Sequence, residues 1–213
     1  MKSLPEKTIE RLSEYRRTLF RCLDEGKTHI YSHELAIMHN ITAVQVRRDI
    51  MFIGHTSQGR KGYNIHELIR VIAAIIDPGD ILNLAVVGYG NLGKAISSYL
   101  LNKRPMLKLV AVFDIDPKKI GAVTSVVQCY SIDRLREIIS SQDISIALLT
   151  VPADAAQQMA KALISSGVKG ILNFTTVNIN VADNIFLEEF DMITSLEKLA
   201  YFVKIAQPFS QLS

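Results

Sequence analysis

Three glycines at the end of an apolar run, Leu84-Ala85-Val86-Val87-Gly88-Tyr89-Gly90-Asn91-Leu92-Gly93, are spaced G-x-G-x-x-G. Between a strand and a helix that spacing builds a phosphate-binding turn. Gly88 turns the chain off the strand, Gly90 lets the backbone approach a pyrophosphate, and Gly93 lets the following helix lie close to the sheet. Unpaired N–H groups and the dipole at the helix N-terminus favour negative charge there. Tyr89, Asn91 and Leu92 occupy the intervening positions and are expected in the same site. A second apolar run, Leu107 to Phe113, ends in Asp114. A carboxylate at that place accepts hydrogen bonds from a ribose 2′-hydroxyl and repels a 2′-phosphate, so the expected ligand is NAD(H) rather than NADP(H). Without a ligand, the same residues would make an ordinary strand-to-helix turn with a solvent-facing Asp.

A second constellation lies earlier in the chain. Ser32 is placed to cap a brief helix through Met38, and His39-Asn40-Ile41 form a turn. Thr42 then caps a second helix, with Gln45 three residues on completing a possible capping box. Two short helices joined by a tight turn predict a helix-turn-helix. In the second, Val44, Val46, Ile50 and Ile53 are expected inward, leaving Thr42, Gln45, Arg47 and Arg48 to face a DNA major groove, where Arg pairs with guanine and Gln with adenine. Beyond Gly54, a glycine-framed hairpin carrying Arg60 and Lys61 fits a wing that reaches phosphates or a minor groove. A small helical dimerisation bundle with solvated arginines is the alternative reading of the same pattern.

These sites sit in a chain of 213 residues with formal net charge +3 and 48% hydrophobic residues, enough for one large domain or two small ones. The charge is too mild to imply nucleic acid by itself, so its placement between Arg47 and Lys61 is what matters. No apolar run reaches membrane-spanning length, and Met1 to Glu6 lack the apolar segment of a secretory signal. Cys22 and Cys129 have no C-x-x-C spacing and are expected as reduced thiols in a cytoplasmic protein. All five histidines precede residue 67; they are expected as solvent-facing or capping residues, and their spacing assembles no metal site.

The elements that must position both sites follow in order. Pro5 to Glu25 predicts a helix with Ile9, Leu12, Leu19 and Leu23 on one side, and Ile65 to Ile76 another. Asp77-Pro78-Gly79-Asp80 marks a boundary, giving domains 1–79 and 80–194 and a C-terminal segment 195–213. The second domain should run as a strand into the glycine turn, a helix from Leu92 to Leu101, and the strand ending at Asp114. Beyond these come a weak strand Val126 to Tyr130, a helix through Ser140, a strand Ile144 to Val151, a helix Asp154 to Ser165 and a strand Lys169 to Phe174. That alternation predicts a doubly wound, mainly parallel Rossmann-like α/β sheet, with ligands beyond the C-terminal strand ends. Thr150-Val151-Pro152 and Asn173-Phe174 should therefore rim the same crevice as Asp114, although Thr150 could equally be a helix cap and Asn173 a turn residue. Ser195 to Ala206 predicts an apolar terminal helix that packs on its own sheet or is exchanged with a partner subunit.

Taken together, the chain resembles the Rex family of redox-sensing transcriptional repressors over nearly its whole length. The resemblance is carried by Ser32-His33-Glu34-Leu35-Ala36, Gln45-Val46-Arg47-Arg48-Asp49, Gly62-Tyr63-Asn64-Ile65, Gly88 to Gly93, Phe113-Asp114-Ile115-Asp116-Pro117, Thr150-Val151-Pro152-Ala153 and Val168 to Phe174. It implies a homodimer with winged-helix DNA-binding domains, C-terminal helices exchanged between subunits, and repression relieved when NADH replaces NAD⁺. It further implies that Arg47 and Arg48 contact operator DNA, that Gly88, Gly90, Gly93 and Asp114 hold the dinucleotide, and that Thr150 to Pro152 with Asn173 and Phe174 line its nicotinamide side. Arg17, Tyr99 and Asp191 match positions that exchange partners between two states. Where the family usually has Ser-Tyr-Phe-Gly, this chain has Met51-Phe52-Ile53-Gly54.

The competing classes are a small NAD-dependent dehydrogenase with a helical extension, and a Rossmann domain for another nucleotide such as coenzyme A. A dehydrogenase needs an acid or base beside the nicotinamide, often His or Lys, and no histidine lies past residue 66.

Overall fold

The computed structural model describes residues 4–56, 61–100, 105–124 and 127–206, in two compact units, 1–79 and 80–213.

In the first unit, helix α1 (Glu6–Asp24) starts after Pro5, whose φ of −59° is already helical, and is followed by Gly26 at φ 80°. Its buried stripe is Leu12, Tyr15, Leu19 and Cys22. Ile9, expected inside, is instead 37% exposed, because the helix is rotated so that Thr8 and Tyr15 face the core. Strand β1 (His29–Ile30) leads to α2 (Ser32–Met38), then α3 (Ala43–Phe52), β2 (Tyr63–Asn64) and α4 (Ile65–Ile76). β2 pairs antiparallel with β1, Ile30 opposite Tyr63. One core joins these elements through Leu12, Leu19, Ile30, Leu35, Val46, Ile50, Ile65, Leu68 and Ile72. Arg16, largely buried, is ion-paired with Asp77 at the end of α4.

The second unit alternates β3 (Leu82–Val87), α5 (Asn91–Leu100), β4 (Leu107–Asp114), β5 (Val123–Thr124), β6 (Val127–Ser131), α6 (Leu135–Ser141), β7 (Ile144–Leu149), α7 (Ala153–Ser165), β8 (Gly170–Asn173), β9 (Phe186–Glu189) and α8 (Met192–Ala206). The sheet order is β5-β6-β4-β3-β7-β8-β9, with every pairing parallel except the short β5-β6 hairpin. From β6 to β9 this is the doubly wound order, with its reversal between β3 and β7. β3, β4 and β7 end in fully buried runs such as Ala85-Val86-Val87, as central strands covered on both faces require. Strands β5 and β9 have no counterpart in the sequence pattern; β9 forms because residues 186–189 find a partner in β8, a non-local pairing with no periodic signature of its own.

The terminal helix begins at Met192 rather than Ser195 because Asp191 caps it. Its carboxylate accepts from the N–H groups of Ile193 (2.8 Å) and Thr194 (3.1 Å) and from the Thr194 hydroxyl (2.5 Å). Met192, Ile193, Leu196, Leu199, Phe202, Val203 and Ile205 are each more than half exposed, so α8 does not bury its apolar side on its own sheet. Among the described residues no helix is long and apolar enough to cross a membrane.

Candidate functional site

The crevice at the sheet reversal is assembled by the chain leaving β3 and β7. Gly88 has φ 94°, and a Cβ there would lie 2.6 Å from the Thr150 carbonyl oxygen, so both conformation and space require glycine. At Gly93 a Cβ would meet the Gly88 carbonyl at 2.1 Å and the Thr150 hydroxyl at 3.0 Å; this glycine is what lets α5 approach the turn. Gly90 is different. A Cβ there meets no protein atom within 4 Å and its φ is not left-handed, so nothing within the protein asks for glycine. The missing side chain leaves open space at the mouth of the turn, ahead of the N-terminus of α5, which fits the approach of a phosphate group. Asn91 and Leu92 are exposed on that first turn.

Thr150 is neither a helix cap nor idle. Its hydroxyl donates to the carbonyls of Gly88 (2.7 Å) and Val87 (3.1 Å), clamping the glycine turn from β7, while Pro152 stands at the N-cap position of α7. Val151 is half-buried and Pro152 exposed beside it. Asn173 is 1% exposed and engaged through both ends of its amide: it donates to the Val177 carbonyl (2.8 Å) and accepts from the N–H (3.0 Å) and hydroxyl (2.7 Å) of Thr175. Its side chain shapes the turn after β8. Phe174, half-buried, packs its ring against Phe190 at 5.3 Å.

Asp114, at the end of β4, is buried and organises the turn. Its Oδ2 accepts from the Tyr89 N–H (2.8 Å) and from Lys119 Nζ (2.9 Å), and its Oδ1 from the Asp116 N–H (2.8 Å). Burial alone would raise its pKa, but hydrogen bonds from Lys119 and the two backbone N–H groups outweigh it and hold the carboxyl below its usual range. Lys119 is raised in turn by its bond to Asp114. The carboxylate is therefore a fixed negative group, not the solvent-facing Asp of an empty turn. Lys119 escaped the sequence analysis because no spacing rule ties it to Asp114; the Pro117 turn between them brings it back.

In the first unit, α2 ends at the turn His39-Asn40, where Asn40 adopts φ 52°. α2 starts at Ser32, with Tyr31 as its cap residue, the Glu34 carboxylate accepting from the Tyr31 N–H at 2.7 Å. Thr42 caps α3 by accepting from the Gln45 N–H (3.1 Å). The Gln45 side chain does not return to the cap; it donates to Asp49 (2.9 Å) and is half-buried. Arg47 and Arg48 are exposed, Arg47 donating to Ser32 (3.1 Å). Val44, expected inside, is 56% exposed on that same outer stripe, since only Val46, Asp49 and Ile50 of α3 face the core. Lys61 is exposed just before β2, whose ladder partner is β1; Arg60 lies outside the described residues.

Asp49, to which sequence spacing assigns no place, faces the core. It is fully buried, gripped by Arg11 through Nε and Nη2 at 2.7 Å each and by the Tyr15 hydroxyl at 2.9 Å. Burial pushes its pKa up, but the bonds from Arg11, Tyr15 and Gln45 prevail and hold it low. The one acid near Arg47 and Arg48 is thereby neutralised inside, and the outer face of α3 keeps its positive charge.

Of the proposed switch positions, Arg17 is exposed on α1, Tyr99 is 68% exposed on α5, and Asp191 caps α8. His39 and His55 are not solvent-facing: His39 bonds the Thr18 hydroxyl (3.0 Å) and His55 is buried beside Tyr63. No cluster of metal-ligating side chains occurs among the described residues.

A helix-turn-helix with a basic outer helix, joined in one chain to a doubly wound sheet with a phosphate-type glycine turn, defines a class of nucleotide-responsive DNA-binding regulators. Family models agree on both parts: one described as a CoA binding domain matches residues 80–177, and one described as a putative DNA-binding protein N-terminus matches residues 3–50. The redox-sensing transcriptional repressor Rex of Bacillus licheniformis is 35% identical over 201 residues, covering 94% of each chain. That of Leuconostoc citreum is 34% identical over 200 residues, covering 94% of this chain and 93% of its own. Among solved structures, the Rex-family repressor RSP in complex with β-NAD⁺ and operator DNA matches with TM-score 0.89 at 30% identity, covering 96% of this chain and 94% of that one. RSP with β-NADH matches with TM-score 0.86 at the same identity, covering 96% of each chain. The chain belongs to the Rex family of redox-sensing transcriptional repressors.

Proposed function

We propose that this chain is a cytoplasmic, homodimeric repressor that binds operator DNA through α3 when NADH is scarce and leaves it when NADH binds the glycine turn. The observation that carries the nucleotide half is Gly90: Gly88 and Gly93 are glycine for the protein's own packing, whereas Gly90 leaves open space at the mouth of the turn, ahead of α5, where a phosphate would approach. The buried, ionised Asp114 beside the turn would take the ribose end, and its charge disfavours the extra phosphate of coenzyme A as well as that of NADP(H).

NAD(H) supplies a nicotinamide that is cationic when oxidised and neutral when reduced. The residues proposed around it, Val151, Pro152 and Phe174, are apolar and offer no counter-charge, so they favour the neutral form. That difference in affinity is what can shift a conformational equilibrium; a site that bound both forms equally would shift nothing. Thr42, Gln45, Arg47, Arg48, Arg60 and Lys61 are the proposed DNA contacts. Arg47, Arg48 and Gln45, once it leaves Asp49, face the bases, and the remainder orient the helix. Arg17, Tyr99 and Asp191 are proposed to exchange partners as the dimer changes geometry.

The homodimer reading is supported by α8, on which seven apolar residues are each more than half exposed and so await a cover. A second copy exchanging the same helix would cover it symmetrically. The test of the whole reading is fluorescence anisotropy on a palindromic operator, titrated separately with NAD⁺ and NADH at fixed salt. Release by NADH alone is expected. Binding indifferent to both dinucleotides would refute the sensor, and steady NADH turnover with a carbonyl substrate would restore the dehydrogenase alternative.

A further inference from the structure

We propose that Lys119 sets how sharply the site distinguishes NADH from NADPH, by screening the Asp114 carboxylate that would otherwise repel a 2′-phosphate. The inference rests on the dinucleotide reading above and concerns one position within it.

A carboxylate has about four acceptor sites. In Asp114 three are filled: two on Oδ2, by the Tyr89 N–H at 2.8 Å and Lys119 Nζ at 2.9 Å, and one on Oδ1, by the Asp116 N–H at 2.8 Å. One acceptor position, on Oδ1, has no partner among the described residues, and a single ribose hydroxyl needs only that one. Engaging a second hydroxyl requires Lys119 to withdraw.

The two backbone donors are fixed by the glycine turn and the Pro117 turn, but Lys119 is on a flexible stem. Its side chain is 28% exposed and its Nζ also lies 3.9 Å from Asp116 Oδ2, so it can move between acceptors at the rim. Lys118, next to it, is exposed, and its N–H caps Asp116 at 3.0 Å. Counting Asp114, Asp116 and Lys119, the rim carries one net negative charge; without Lys119 it would carry two. A 2′-phosphate arriving there cannot donate to Asp114, yet it can take the Lys119 ammonium as a partner. The chain thus holds a partly exposed cation against the residue that would set its NAD(H) preference, and the preference is softer than a bare carboxylate would give. Asp114 lies below and Lys119 above their ordinary pKa values, so the pair is ionised throughout the neutral range.

A unit charge about 5 Å from a phosphate, at an effective dielectric between those of protein surface and water, alters affinity on the order of tenfold. Full-length wild type, K119M and K119R should be titrated with NADH and with NADPH by calorimetry at fixed salt. K119M is expected to weaken NADPH about tenfold while NADH changes by less than about threefold, widening the ratio; K119R, which keeps the charge, should leave the ratio as in wild type. Equal loss of both dinucleotides in K119M would overturn the inference, because Lys119 would then merely support the turn. An unchanged ratio in K119M with NADH still bound would overturn it as well. If wild type binds neither dinucleotide, the dinucleotide reading itself fails and this inference with it.

Discussion

Replacing Gly90 and Gly93 by alanine, one at a time, separates the two reasons a glycine turn is made of glycine. At Gly90 the new methyl meets no protein atom within 4 Å and the backbone is not left-handed, so folding should not suffer. Loss of unfolded-chain freedom would even stabilise the variant by a few tenths to about 1 kcal/mol. At Gly93 the same methyl would sit 2.1 Å from the Gly88 carbonyl oxygen, more than 1 Å inside ordinary contact, and 3.0 Å from the Thr150 hydroxyl. The obstruction is backbone, so α5 must lift or the Thr150 clamp must open, at a cost of about 1–3 kcal/mol or more. Because the chain has two compact units, a single denaturation midpoint mixes them. Amide exchange of β3 reports the second unit directly. NADH affinity by calorimetry completes the assay. G90A should keep wild-type protection of β3 and lose NADH affinity by about tenfold or more, a change of at least ~1.4 kcal/mol. G93A should lose both. Wild-type NADH affinity in G90A would refute the placement of a phosphate at Gly90, and a strongly destabilised G90A would refute the claim that the protein itself makes no use of that glycine.

Four further outcomes are expected. D49A removes the buried partner of Arg11, which at 21% side-chain exposure can recover some water, so a loss near the lower end of the usual range, about 3 kcal/mol, should appear in the first unit's denaturation. Asp49 is held below its ordinary pKa, so its stabilisation is complete above the unfolded value of about 3.9 and disappears as pH falls through the lower folded value. Acid titration of wild type should therefore show a loss below about pH 4 that D49A lacks. R47A and R48A should each weaken operator binding by about 1–3 kcal/mol with relaxed preference at one base pair; a uniform loss across sequences with a shallower salt slope would reassign that arginine to phosphate. L199E with F202E, both at positions more than half exposed, should leave each subunit folded by circular dichroism but shift sedimentation from dimer to monomer, and an unchanged dimer would place the subunit contact elsewhere.

What the sequence by itself determined were features that depend on a few neighbouring residues. Gly88 and Gly93 at the turn into a helix, Asp114 at the end of its strand, Thr42 as the cap of α3 and the Asp77-Pro78-Gly79 break are local features of the backbone, legible from residue type and spacing. Family resemblance added the roles. Features decided by long-range contact were not legible. β9 exists because β8 offers it an edge. Val44 and Ile9 face outward because hydrophobicity marks a helix face only to within one position, and packing chose the neighbouring one. No local spacing tells that Asp49 is buried, because its partner Arg11 lies 38 residues away; and of the two roles open to Thr150, cap or site residue, its bond to Gly88 across the sheet reversal excludes the cap. Spacing along the chain thus prescribes which turns and caps can form. Which charges are neutralised, and which side chain guards a ligand's edge, depends on groups brought together across the fold, and only the tertiary structure decided those.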